Sequence, residues 1–136
     1  MTDLSGQLAL VTGASRGIGA ATAQALAAAG RRGAPARRAL AYLLDRQNSD
    51  GGFAFQPPGR SNSQSTALTA QAMVSMGASP ASRRSASRSP LGYLGARQQA
   101  NGMVRYSATS AATPVWVTSQ ALAALGRRAL PVRIQR

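Results

Sequence analysis

The chain contains no cysteine, no histidine and no lysine. Without cysteine and histidine there are no disulfides, no thiol nucleophiles and none of the usual zinc sites. Acidic residues are almost as scarce: Asp3, Asp45 and Asp50 are the whole set, and none is adjacent to another. Aromatic residues make up 4% of the chain, and the 44% hydrophobic fraction rests heavily on alanine. Alanine buries little area, so the expected core is thin and helix-biased. No apolar run approaches the ~20 residues that a membrane span needs. The opening Met1-Thr2-Asp3-Leu4-Ser5-Gly6 has neither the basic nor the apolar region of a signal peptide. A cytoplasmic location is the expectation.

Arginine is abundant instead. All 16 basic residues are arginine, which gives a net charge of +13. They gather in residues 31–38, 83–88 and 127–136 rather than in one stripe along a helix, and no aromatics interleave with them as a base-stacking platform requires. This pattern favours non-specific polyanion attraction over specific nucleic-acid recognition. At 136 residues the chain is one ordinary domain or two fragments of smaller ones.

Residues 1–32 read as a single βα unit. Gln7-Leu8-Ala9-Leu10-Val11 suits a buried parallel strand. The turn Thr12-Gly13-Ala14-Ser15-Arg16-Gly17-Ile18-Gly19 follows, then an alanine-rich helix from about Ile18 to Ala29, stopped by Gly30. Glycines 13, 17 and 19 allow a tight turn and close approach of a phosphate to the N–H groups that open the helix. Ser15 and Arg16 add donors. This stretch resembles the opening of the short-chain dehydrogenase/reductase family, matching its T-G-x-x-x-G-x-G turn in full. The resemblance implies that Gly13, Ser15, Arg16, Gly17, Ile18 and Gly19 descend from an NAD(P)-binding turn, and it ends near Arg32. The second strand of that family, which reads the adenosine ribose, has no counterpart. Its catalytic Tyr-x-x-x-Lys cannot exist without lysine, although Tyr42-x-x-x-Arg46 and Tyr93-x-x-x-Arg97 copy the spacing.

After a basic seam at residues 33–38, the chain repeats itself. Leu40, Tyr42, Leu43, Arg46 and Gln47 recur as Leu91, Tyr93, Leu94, Arg97 and Gln98 at an offset of 51, and Asp50-Gly51 recurs as Asn101-Gly102. Gln71-Ala72-Met73 and Met76-Gly77 match Gln120-Ala121-Leu122 and Leu125-Gly126 at an offset of 49. Each unit reads as helix, glycine-rich turn, helix. The first unit (residues 39–77) has helices from about Pro35 to Gln47 and from a cap at Ser61-Asn62 to Met76. The second (residues 89–126) has helices opening at Ser89-Pro90 and Thr113-Pro114 and running to about Gln99 and Leu125. Residues 78–88 are a Ser/Arg-rich linker and residues 127–136 a basic tail. Asp50 is expected to tether its turn, and Trp116 to be a core residue.

The pattern Gln47-x-x-Asp50-Gly51-Gly52-Phe53, set between a Tyr-Leu helix and a Ser/Thr/Ala-rich one, resembles the prenyltransferase and squalene-cyclase repeat. The resemblance implies an α/α toroid built from stacked helix pairs. In it Gln47 and Phe53 tie consecutive helices together, with Gln98 and Tyr106 in the second unit, and Trp116 would line the cavity of a full toroid. The second unit departs from the pattern: Asn101 replaces the acid, and Met103-Val104 replace Gly-Phe. The aspartate-rich motif of the cyclases and the Asp/Cys/His zinc set of the protein prenyltransferases are absent.

The expectation is a mainly α chain: two helix-hairpin repeats of α/α-toroid type, preceded by a single Rossmann-like βα unit in a hybrid, truncated sequence. Its expected role is a non-catalytic scaffold that binds a protein or apolar ligand on the repeats, with self-association through exposed helix faces. Neither a cofactor nor a metal is expected, save NAD(P) at the N-terminal turn. The alternative is a truncated NAD(P)-dependent oxidoreductase that keeps only that turn.

Overall fold

A computed structural model of the chain describes residues 34–127, apart from residues 57, 83 and 86. The expected βα unit over residues 1–32, with Gly13 to Gly19, lies outside the described residues, as do residues 128–136 of the tail.

The described part is mainly helical, with one small sheet. Helix α1 spans Ala34–Leu44, strands β1 and β2 span Phe53–Ala54 and Ser61–Asn62, and helices α2, α3 and α4 span Ser63–Ser75, Pro90–Gly95 and Pro114–Leu125. The strands pair antiparallel, Phe53 opposite Asn62 and Ala54 opposite Ser61. Helix α2 is the centre. It packs most heavily on α4, then on α3, and meets α1 over a small contact. The core is therefore shared between the units: Ala67 and Ala70 of α2 lie with Tyr93 and Leu94 of α3, Val104, and Val117, Ala121 and Ala124 of α4.

Being central, α2 buries residues around most of its circumference, and its composition fits that position. Ser63, Thr66, Thr69 and Ser75 are all buried, and small side chains let neighbouring helices approach closely. Two of the hydroxyls are satisfied locally: Thr66 Oγ1 donates to the Asn62 carbonyl at 2.7 Å and Ser75 Oγ to the Gln71 carbonyl at 3.0 Å. Asn62 caps the helix through its side chain, accepting from the Ser65 N–H at 2.8 Å.

Four details depart from the sequence reading. Helix α1 stops at Leu44 rather than Gln47, and α3 stops at Gly95 rather than Gln99. In α3, Gly92 and Gly95 each lower helix propensity by about 1 kcal/mol relative to alanine, so nothing local carries the helix further. The cap at Thr113 is not a side-chain cap: its φ is 46°, in the left-handed region, and its hydroxyl makes no cap bond. Ser89, by contrast, accepts from the Gly92 N–H at 3.1 Å as expected. Finally, Trp116 is 59% exposed and is not a core residue. Helix α4 is apolar on several sides, so its periodicity does not say which side faces inward.

Candidate functional site

The first turn is closed by two backbone bonds, Asn48 N–H to the Gly52 carbonyl and Gly51 N–H to the Asn48 carbonyl, both 2.9 Å. Gly51 has φ 83°, a conformation that a residue with a Cβ rarely adopts. Asp50 Oδ1 accepts from the Gly52 N–H at 3.0 Å and from the Ser61 hydroxyl at 2.7 Å. Ser61 Oγ in turn accepts from Asn48 Nδ2 at 2.8 Å, and the same amide group donates to the Gly59 carbonyl at 2.9 Å. Gln47 Nε2 donates to the Gly51 carbonyl at 2.9 Å. Phe53, buried, donates its N–H to Thr66 Oγ1 at 2.9 Å. Asp50 is thus the acceptor around which its turn and the β2 strand are fastened.

The second turn repeats this backbone bond for bond. Gln99 N–H meets the Met103 carbonyl and Gly102 N–H the Gln99 carbonyl, both at 2.8 Å. Gly102 has φ 85°. Asn101 Oδ1 accepts from the Met103 N–H at 3.1 Å, and Val104 N–H bonds Thr118 Oγ1 at 2.9 Å. The Asp-to-Asn exchange keeps the one oxygen that the turn uses. The side chain of Gln98 is exposed, whereas that of Gln47 is half-buried within its turn.

What differs is what presses on the two turns. A Cβ on Gly51 would lie 2.8 Å from the backbone of Arg88 and Ser89, where the linker enters α3. One on Gly52 would lie 2.6 Å from Ser61 Cβ and 2.8 Å from the Tyr93 ring. Tyr93 itself is buried, and its hydroxyl donates to the Ser61 carbonyl at 2.9 Å. Burial is the main force that raises its phenol above the ordinary value of 10.0; the Arg97 guanidinium opposes that shift, and Asp50 and Tyr106 add to it. Further bonds lace the units together: Ser63 N–H to the Tyr106 carbonyl at 2.7 Å, Ser63 Oγ to the Arg105 carbonyl at 2.6 Å, and Gln71 Nε2 to the Gln120 carbonyl at 2.9 Å.

The two Tyr-x-x-x-Arg spacings have a physical role of their own. Arg46 stacks over Tyr42 at 4.6 Å and Arg97 over Tyr93 at 4.5 Å, each a guanidinium on a ring face. They differ in burial: Tyr42 is 58% exposed and Tyr93 is 1% exposed.

A cleft of about 360 Å³ opens beside the first turn, lined from both units by Asn48, Asp50, Arg60, Arg97, Ser107 and Thr109 among others. Sequence reasoning did not join these residues, because they come from four separate segments and only Asn48 and Asp50 share a motif. Among the described residues no three His, Cys, Asp or Glu side chains gather as a metal site. No helix among them is long and apolar enough to cross a membrane.

No family model, curated protein or solved structure matches the chain.

Proposed function

We propose that the chain is a non-catalytic repeat module of the prenyltransferase and squalene-cyclase type, which binds an apolar, prenyl-like ligand on the outer face of α4. The observation that carries this is the division of that helix. Val117, Ala121 and Ala124 face the core, while Val115, Trp116 and Leu122 are 83%, 59% and 54% exposed. Three of the four exposed large hydrophobic residues among those described thus sit on one helix. Large apolar side chains grouped at the surface mark a binding face more often than a bare one. The clasp at Gln47 to Phe53 supports the repeat reading, since the family ties consecutive helices at that place.

The chain has a single tryptophan, so its fluorescence reports on this face directly. Titration with farnesol should shift Trp116 emission to the blue, saturably. Leu122→Gln should weaken the effect about tenfold, the order expected for losing one buried leucine side chain, without lowering the melting temperature. Emission that never changes with farnesol contradicts the reading.

The second reading, an oxidoreductase remnant, rests on the sequence of residues 7–29 alone, whose pattern is that expected of a strand, a glycine turn and a helix. Saturable enhancement of NADPH fluorescence, lost on Gly17→Val, is its test.

A further inference from the structure

We propose that the cleft beside the first turn binds a small phosphate monoester whose organic part carries hydroxyl groups. The site goes beyond the apolar face of α4 and lies elsewhere on the molecule. It opens where the first turn, the entry to β2, the residues after α3 and the loop 107–109 meet, so a ligand there touches both repeat units.

Arg60 and Arg97 both line the cleft, and the planar fork of a guanidinium matches the oxygens of a phosphate. Arg97 is held in place, stacked 4.5 Å over the buried Tyr93 ring. A guanidinium already immobilised loses less freedom when it takes up an anion. Ser107 and Thr109 add hydroxyls from a loop fixed by its own turn, in which Ser107 Oγ accepts from the N–H groups of Thr109 and Ser110 at 3.3 and 3.1 Å.

Against these two cations stands one carboxylate, Asp50, whose Oδ1 is engaged by Gly52 and Ser61. A carboxylate repels bare phosphate and accepts readily from a hydroxyl. Two guanidiniums with one carboxylate therefore select a hydroxylated monoester over a plain anion. That selectivity separates the cleft from the diffuse attraction that a net charge of +13 exerts on any polyanion.

Titration calorimetry at fixed ionic strength tests this, with glycerol 3-phosphate and inorganic phosphate as probes. Glycerol 3-phosphate should bind saturably and more tightly than inorganic phosphate. Arg60→Gln should weaken both about fivefold, as loss of one exposed charge contact does. Arg38→Gln removes the same charge from an exposed position on α1 that does not line the cleft, and should change neither. Asp50→Asn preserves the acceptor for the Gly52 N–H, as Asn101 does in the second turn. It should tighten inorganic phosphate and erase the advantage of glycerol 3-phosphate. Binding that never saturates, equal losses in Arg60→Gln and Arg38→Gln, or an Asp50→Asn effect identical for both probes would overturn the proposal.

Discussion

At residue 51 and again at residue 102 the chain turns on a left-handed glycine, with φ of 83° and 85°. A methyl group added to the first would strike the backbone of Arg88 and Ser89, whereas one added to the second would meet nothing within 4 Å. The backbone needs glycine in both places; only the first also needs the space. The next residue shows the same division, for Gly52 is wedged between Ser61 and Tyr93, and its counterpart is Met103. A turn can thus keep its hydrogen bonds while losing its partner. What constrains sequence beyond those bonds is the neighbour packed on top.

The contrast breaks most sharply at the two tyrosines. Tyr93→Ala should cost about 4 kcal/mol, as removal of a buried aromatic does, while Tyr42→Ala should cost less than about 1 kcal/mol, the worth of an exposed cation–π pair. Equal losses in chemical denaturation would contradict the difference in burial.

Next come the glycines. Gly102→Ala should cost about 1 kcal/mol for the left-handed conformation alone. Gly51→Ala adds overlap with backbone that cannot swing aside, and should cost about 3 kcal/mol in total.

Alkali probes the packing over the first turn through Tyr93. Tyr93 holds its proton above the ordinary 10.0 in the folded chain, chiefly through burial. A raised folded pKa means that the unfolded chain ionises first. Stability from this group is therefore whole below pH 10.0 and is lost as pH climbs toward the folded value. Tyr93→Phe should flatten that alkaline fall in melting temperature.

The smallest effect lies at the helix ends. After α2 the left-handed residue is Gly77, with φ 75°; after α4 it is Arg127, with φ 52°. Arg127→Gly should raise stability by about 0.5 kcal/mol, the strain relieved less the added freedom of the unfolded chain. Gly77→Ala should lower it by about 1 kcal/mol.

These ends also show where sequence stopped short. The offset of 51 is legible because like interactions demand like residues: the left-handed Gly51 and Gly102, the turn acceptors Asp50 and Asn101, and Tyr42 and Tyr93, each under an arginine. The offset of 49 paired Gly77 with Gly126, yet Gly126 has φ −73° and the left-handed position falls one residue later. The β1–β2 hairpin was not legible, since strands of two residues have no period to read. Trp116 was misplaced because α4 is apolar on more than one side. The cleft left no trace in the sequence at all, for Arg60, Arg97 and Thr109 come together only when the second unit closes on the first turn.

The two turns share the bonds that close them and differ in what is fastened and packed on top. Amide hydrogen exchange of Gly52 and Met103, read by NMR in one sample, tests this most directly, because each N–H donates to the equivalent oxygen, Asp50 Oδ1 at 3.0 Å and Asn101 Oδ1 at 3.1 Å. Protection at Gly52 should exceed that at Met103 by about tenfold or more, since opening the first turn requires the second unit to lift away. Equal protection, or greater protection at Met103, would contradict it.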